Sequence, residues 1–292
     1  MKKIKYSIPG FYELSDLNIK LLKLIKNKPQ YFYDNFLIEA VYGTPQFCIW
    51  DGGRIFNQAK QSSKEQIEQL IYTYNNIFNI PIRYVFTNNQ LKEKHYHDHF
   101  GNLCMELGSY YNNEVVIADD NFMLYLKNKY PNYSFISSTT KCLNTLEEIV
   151  QELDNSNYKM MCLDYNLNKN INFLKNIEEN KKDKIELLIN PICLPNCLYR
   201  KEHYKLNSLA NLNYGKKYTM QGCNIPTDKN IFEPKAQKHH ITYEDIINTY
   251  LPLGYQHFKI EGRTWDSKAL CLTYCNYMVK PEYKNSVISI LI

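Results

Sequence analysis

The apolar runs of strand length in this chain are continuous rather than alternating, and eight of them recur at fairly even intervals. They cover residues 4–8, 36–42, 82–87, 114–118, 133–137, 160–165, 185–190 and 256–261. A strand that is apolar at nearly every position must be covered on both faces, the condition of parallel strands in an α/β fold. Helical patterns lie between the runs. Leu17, Ile19, Leu21, Leu22, Leu24 and Ile25 form one broad apolar face. Ser63-Lys-Glu-Gln66 is a capping-box pattern ahead of Ile67, Leu70, Ile71 and Tyr74. Further helices are expected over 121–130, 145–153, 171–180, 242–251 and 267–278. Eight strand–helix alternations predict an α/β fold, a single (β/α)8 TIM-barrel-like domain over 1–292 with an enlarged loop after strand seven. The length suits it, since such barrels run to about 250 residues.

The enlarged loop is the inserted connection 200–241. It is too long for a plain barrel turn, and loops of that length inside compact domains are commonly functional. It opens just past Cys193-Leu-Pro-Asn-Cys197 and contains Cys223. Active sites of such barrels gather where the loops after the strands meet. Cys48 follows strand two, Cys142 follows strand five, and the other three follow strand seven, so five thiols are expected on one rim. The preferred ligand set is Cys48, Cys193, Cys197 and Cys223, with Cys142 in reserve for the fourth position. Four converging thiolates suit a [4Fe–4S] cluster and equally a structural zinc ion. Cys104, Cys162, Cys271 and Cys275 read as core residues.

Other candidates lie along the same rim. Lys259, Glu261 and Arg263 alternate, so on a strand they share one face. At the barrel mouth they would form a charged cluster for an anionic substrate or for orienting a proton donor, or an internal ion pair sealing the barrel. Asp51-Gly-Gly-Arg54 reads as a turn that could close over a ligand. Asp164 stands at the end of strand six, and Arg200, Glu202 and His203 follow the cysteine pair, with His203 the best placed for proton transfer. His95-Tyr-His-Asp-His99 has metal-ligand spacing but lies among lysines, as a solvated loop would. His239-His240 is a weaker signal of the same kind. No Gly-x-Ser-x-Gly elbow, Walker loop, dinucleotide fingerprint or CxxxCxxC triplet is present, which removes serine hydrolase, ATPase, Rossmann and conventional radical-SAM readings.

The net charge of +5, from Lys+Arg 35 against Asp+Glu 30, is too small and too scattered to argue for nucleic acid on its own. The first ten residues are basic but have no apolar signal-peptide core. No run approaches the roughly 18 apolar residues of a membrane span. Nine cysteines without such a signal imply a reducing compartment, so a cytoplasmic location is expected.

Phe258-Lys-Ile-Glu-Gly-Arg263 resembles the Lys-Ile-Glu-Gly-Arg signature of the collagenase-like peptidase family. The cysteine-bearing connection before it matches the place where members of that family hold a [4Fe–4S] cluster. Glu39-Ala-Val41, with Cys48 beyond it, is similar to the ubiquinone-hydroxylation branch, in which one ligand comes from an early loop and two later ones are spaced CxxxC. The resemblance implies an iron–sulfur barrel protein acting in oxygen-independent hydroxylation, on a small-molecule or RNA substrate and with a redox partner. The commoner family pattern instead has all its cysteines in the later region with wider spacing. The alternatives are a metal-dependent peptidase, which the family's name suggests, and a zinc-braced binding subunit without catalysis.

Overall fold

Each of the eight apolar runs forms a strand. The computed structural model describes residues 3–55, 62–214, 218 and 239–292. The strands are β1 (Ile4–Pro9), β2 (Phe36–Gly43), β3 (Ile82–Phe86), β4 (Glu114–Ile117), β5 (Ser134–Ser137), β6 (Met160–Cys162), β7 (Ile185–Leu188) and β8 (His257–Lys259). They pair in sequence order, and β8 returns in parallel to β1 with Tyr6 opposite Phe258. The result is a closed (β/α)8 barrel. Register shifts once, between Tyr6 and Ser7, where β2 carries an extra residue opposite β1.

The helices are α1 (Ser15–Asn27), α2 (Lys64–Tyr72), α3 (Glu93–Tyr96), α4 (His99–Gly108), α5 (Asp120–Lys129) and α6 (Leu146–Asp154), then α7 (Ile171–Asn176), α8 (Glu179–Lys182), α9 (Arg200–Leu212), α10 (Tyr243–Asp245), α11 (Ser267–Met278) and α12 (Lys284–Leu291). The Ser63 capping box forms in both directions, and so does one at Thr145 with Glu148. These caps satisfy backbone N–H groups that a helix start leaves unpaired. The stretch containing His95, His97 and His99 departs from the expected solvated loop. It makes α3 and the start of α4, with Asp98 accepting from the Gly101 N–H at 2.7 Å as the cap of α4. His95 turns its Nδ1 to the Lys92 N–H at 2.9 Å, so it serves a turn rather than a ligand set.

Strand parity sorts the side chains. Ile82, Tyr84 and Phe86 of β3 face outward into the main core beneath the helices, while Arg83 and Val85 face the lumen. One part of the lumen is apolar, with Val116, Ile136 and Met160 packed together. The other part is charged. Arg83, fully buried, donates to Glu114 at 2.7 Å and to Ser7 at 2.8 Å, and pairs with Glu186. Glu186 faces Lys259 across 3.6 Å, and His257 lies between Glu39 at 2.8 Å and Asp183 at 3.0 Å. Burial pushes the Glu186 carboxyl up, but Arg83 and then Lys259 outweigh it and hold its pKa down at about 2. Lys259 thus stands on an ionised carboxylate, above the charged part of the barrel and at the floor of its mouth.

Candidate functional site

The carboxyl ends of the strands open into a cleft of about 690 Å³, counting the space open to solvent. Its floor and lower wall come from the lumen: Tyr42, Val85, Val116, Cys162, Leu188 and Lys259. The Lys259 ammonium lies 4.2 Å over the Tyr42 ring, and the Tyr42 hydroxyl donates to the Ile260 carbonyl at 2.6 Å. Beyond the end of β8, Glu261 and Arg263 also reach the cleft wall, so the three alternating charges do come together there. They are not equivalent. Arg263 commits its fork to Asp51, at 2.6 and 3.2 Å. Glu261 pairs with Arg54 and accepts from the Ile192 N–H at 3.1 Å. Lys259, with no ion-pair partner nearer than Glu186 at 3.6 Å among the described residues, is the cation best able to meet a ligand.

Helix α9 crosses the mouth. At one end Arg200 donates to Asp164 at 2.6 Å and to Thr139 Oγ1 and O at 3.0 Å each, with its guanidinium 4.0 Å from the Tyr165 ring. At the other end the Asn211 amide donates to the carbonyls of Asp51 at 2.6 Å and Arg54 at 2.8 Å, and Ser208 takes the Asn89 N–H at 3.2 Å. The helix has 13 residues, about 20 Å at 1.5 Å each, and so ties the loops after β5 and β6 to those after β2 and β3. Tyr204 on its underside lines the cleft. This helix was not expected: its buried face is Arg200, Tyr204, Asn207, Ser208, Ala210 and Asn211, which carries almost no hydrophobic periodicity.

The Asp51-Gly-Gly-Arg54 turn is pinned rather than loose. A Cβ on Gly52 would stand 2.4 Å from the Asn88 Cα and 2.5 Å from the Ser208 Oγ. Gly52→Ala should therefore cost about 1–3 kcal/mol through overpacking, measured by urea denaturation. An unchanged midpoint would show that α9 and this loop are not pressed together.

The cysteines divide. Cys193 lies on the cleft edge against Cys162, Tyr165 and Leu188. Its loop is tied down by the Tyr165 hydroxyl on the Leu194 carbonyl at 3.4 Å and by the Asn196 N–H on Asn166 at 2.9 Å. His239 and His240 each place Nε2 3.0 Å from the Pro191 carbonyl, so they brace this loop. Cys197 is half-exposed, and Leu198 beside it is 94% exposed. Cys142 follows β5 in a left-handed conformation, φ 55°. Burial pushes its thiol up and the Arg200 charge pulls it back, with Cys193 close enough to act on it as well. Cys48 is elsewhere: fully buried in the main core, its thiol driven far up by burial and then by Cys104. Cys223 lies outside the described residues. Among the described residues, no three or more His, Cys, Asp or Glu side chains are gathered as a metal would require.

His203 is half-buried on α9 and does not line the cleft. Burial, then the nearby Arg54 charge, lowers its pKa. Cys162, expected as plain core, faces the cleft instead. Parity explains it, because Met161 and Leu163 on either side pack outward into the main core.

No protein-family model matches the sequence, and no curated protein does. Among solved structures, the chain is similar to the U32 peptidase Mk0906 at 13% identity and a TM-score of 0.53, over 90% of this chain and 94% of that one. The likeness is one of fold. It spans nearly the whole of both chains. Among the described residues, no helix is long and apolar enough to cross a membrane.

Proposed function

We propose that this chain is an iron–sulfur barrel of the collagenase-like (U32) peptidase family that modifies a substrate held in the mouth cleft, by an oxygen-independent hydroxylation. The observation that carries the reading is the position of Cys193, on the cleft edge in a braced loop, facing the same space as Lys259. The described residues do not complete a four-thiolate set by themselves. Cys193 and Cys197 supply one side of it, and Cys223 would supply a third ligand. Cys142, in the loop after β5 with Arg200 lowering its thiol, suits the fourth position better than Cys48, whose full burial in the core disfavours a thiolate. This moves the fourth ligand from Cys48 to the reserve residue.

A bound cluster would supply one-electron chemistry. The chain's own part is positioning. Lys259, fixed by Glu186 and the Tyr42 ring, would orient a substrate oxygen, while Val85, Val116 and Leu188 exclude water from the floor. Arg263 would act through Asp51 by fixing the loop after β2. Glu261, locked to Arg54, would hold the wall, and His203 would exchange protons at its outer side. A small molecule fits the covered cleft, with RNA the alternative substrate and a redox partner required by the chemistry.

The test is iron, zinc and acid-labile sulfide content after anaerobic purification, with a visible spectrum. Four irons and four sulfides per chain are expected for a [4Fe–4S] site. Cys193→Ser, Cys197→Ser and Cys142→Ser should each lose iron while Cys48→Ser keeps it. Zinc without sulfide would replace this reading with the braced, non-catalytic barrel. Peptide cleavage abolished by Glu261→Gln would favour the peptidase.

A further inference from the structure

The Lys259 ammonium donates no hydrogen bond among the described residues. Its side chain is 9% exposed, the nearest carboxylate oxygen, on Glu186, stands 3.6 Å away, and Nζ lies 4.2 Å from the centre of the Tyr42 ring. A separation of 3.6 Å is too long for a hydrogen bond. An ammonium withdrawn from water without an acceptor is costly, yet this side chain lines the mouth cleft, where a ligand can reach it. We infer that the floor of the cleft receives the carboxylate of a small monocarboxylic acid on Lys259, with the hydrocarbon body of the acid against Val85, Val116 and Leu188. The inference rests on the reading of the cleft as the substrate site, and adds to it the class of the substrate and its orientation.

The charges around Lys259 carry the assignment. The other charged side chains lining the cleft are engaged, Arg263 with Asp51, and Arg54 and Glu261 with each other. Glu186 does not fill the place of a direct acceptor, because its Oε1 takes Arg83 and the Ser7 hydroxyl, the latter at 2.6 Å. One carboxylate thus serves two cations, and Arg83 is the nearer. A ligand carboxylate would give Lys259 the charged acceptor it lacks, and hydrogen bonds between charged groups are roughly twice as strong as those between neutral ones. A phosphate dianion suits the floor less well. It would need further donors there, and the neighbours of Lys259 are Val85, Val116, Cys162 and Leu188, with the Tyr42 hydroxyl spent on the Ile260 carbonyl.

The orientation follows. With its carboxylate on the floor, the acid extends its hydrocarbon end up toward Tyr204 of α9 and toward Cys193, which packs with Cys162, Tyr165 and Leu188. The carbon presented to Cys193 is the one remote from the carboxylate.

The intact protein, purified anaerobically, would be titrated by calorimetry with 4-methylpentanoate, 4-methylpentanamide, acetate and inorganic phosphate. The acid should bind saturably and at least about tenfold tighter than the amide, which has the same body without the charge, a factor of ten being about 1.4 kcal/mol. It should exceed acetate, which lacks the body, by a similar factor. Lys259→Met, checked for folding by circular dichroism, should abolish the preference for acid over amide. Leu188→Ala should weaken 4-methylpentanoate severalfold and leave acetate unchanged. Equal binding of acid and amide, no binding of the acid, tighter binding of phosphate, or an undiminished acid preference in a folded Lys259→Met variant would each overturn the assignment. The acid–amide comparison uses the parent chain, so it decides the matter whether or not the variant folds. Iron and sulfide are measured on the same sample. Carboxylate binding without a cluster would keep this inference and sink the iron–sulfur reading, and a cluster without carboxylate binding would do the reverse.

Discussion

Arg83→Met should cost the barrel about 3–5 kcal/mol, the usual penalty for leaving a buried charge without its partner. Arg83 is fully buried and serves Glu114, Glu186 and Ser7 at once, so its loss leaves Glu114 to Lys159 and Glu186 to the more distant Lys259. Urea denaturation at neutral pH would show it, and many domains have little more stability than that to lose. The pH profile gives a second readout. Glu186 has its pKa lowered from 4.5 to about 2 in the folded chain. Its contribution is therefore fully present above about 4.5 and disappears as pH falls from there to about 2. In Arg83→Met that depression shrinks, so the variant should be least stable relative to the parent near neutrality and closest to it in acid. Adding Glu186→Gln should recover part of the loss. A single variant within about 1 kcal/mol of the parent would mean that the network adjusts by admitting water.

Arg200→Met should release the near end of α9. Its ion pair with Asp164 is buried on both sides, 5% and 3% exposed, and the same guanidinium holds Thr139 and Tyr204. Removing it leaves Asp164 without its cation, a local cost of about 3 kcal/mol or more. The expected result is protease cleavage within 200–212 and faster thiol labelling at Cys142, with the urea midpoint of the barrel less affected. Unchanged labelling at Cys142 would show that Asn207, Ser208 and Asn211 alone hold the helix across the mouth.

Much of the fold was legible because the barrel imposes a simple rule. Strands covered on both faces read as unbroken apolar runs, and all eight appear within a few residues of where they were expected. The helices with side-chain caps were legible for the same kind of local reason, Ser63 and Thr145 being clear start signals. Helix α9 was not, because it docks through amides, a serine and an arginine, and such a face has no apolar period to detect. The lumen network was half visible. Arg83, Glu114 and Glu186 stand as charges within or beside apolar runs, but only closure of the barrel reveals that they meet. Lys259, Glu261 and Arg263 line one cleft, although only Lys259 lies within β8. Their unequal commitments depend on Asp51 and Arg54, more than two hundred residues earlier. Cys48 and Cys162 show the limit of placing cysteines by loop alone: one turns under the helices, the other toward the cleft, and strand parity signals only the second.

The polar docking of α9 gives the mouth a different temperature response from the barrel beneath it. Unfolding the barrel exposes apolar surface and raises the heat capacity, so its stability curve is a dome that falls away on cooling. Detaching a helix held by hydrogen bonds and an ion pair exposes mostly polar surface, whose heat-capacity contribution is small and of opposite sign. Its hold varies almost linearly with temperature and strengthens as the solution cools. Cooling that weakens the barrel's apolar packing therefore leaves the polar contacts of α9 over the cleft less affected.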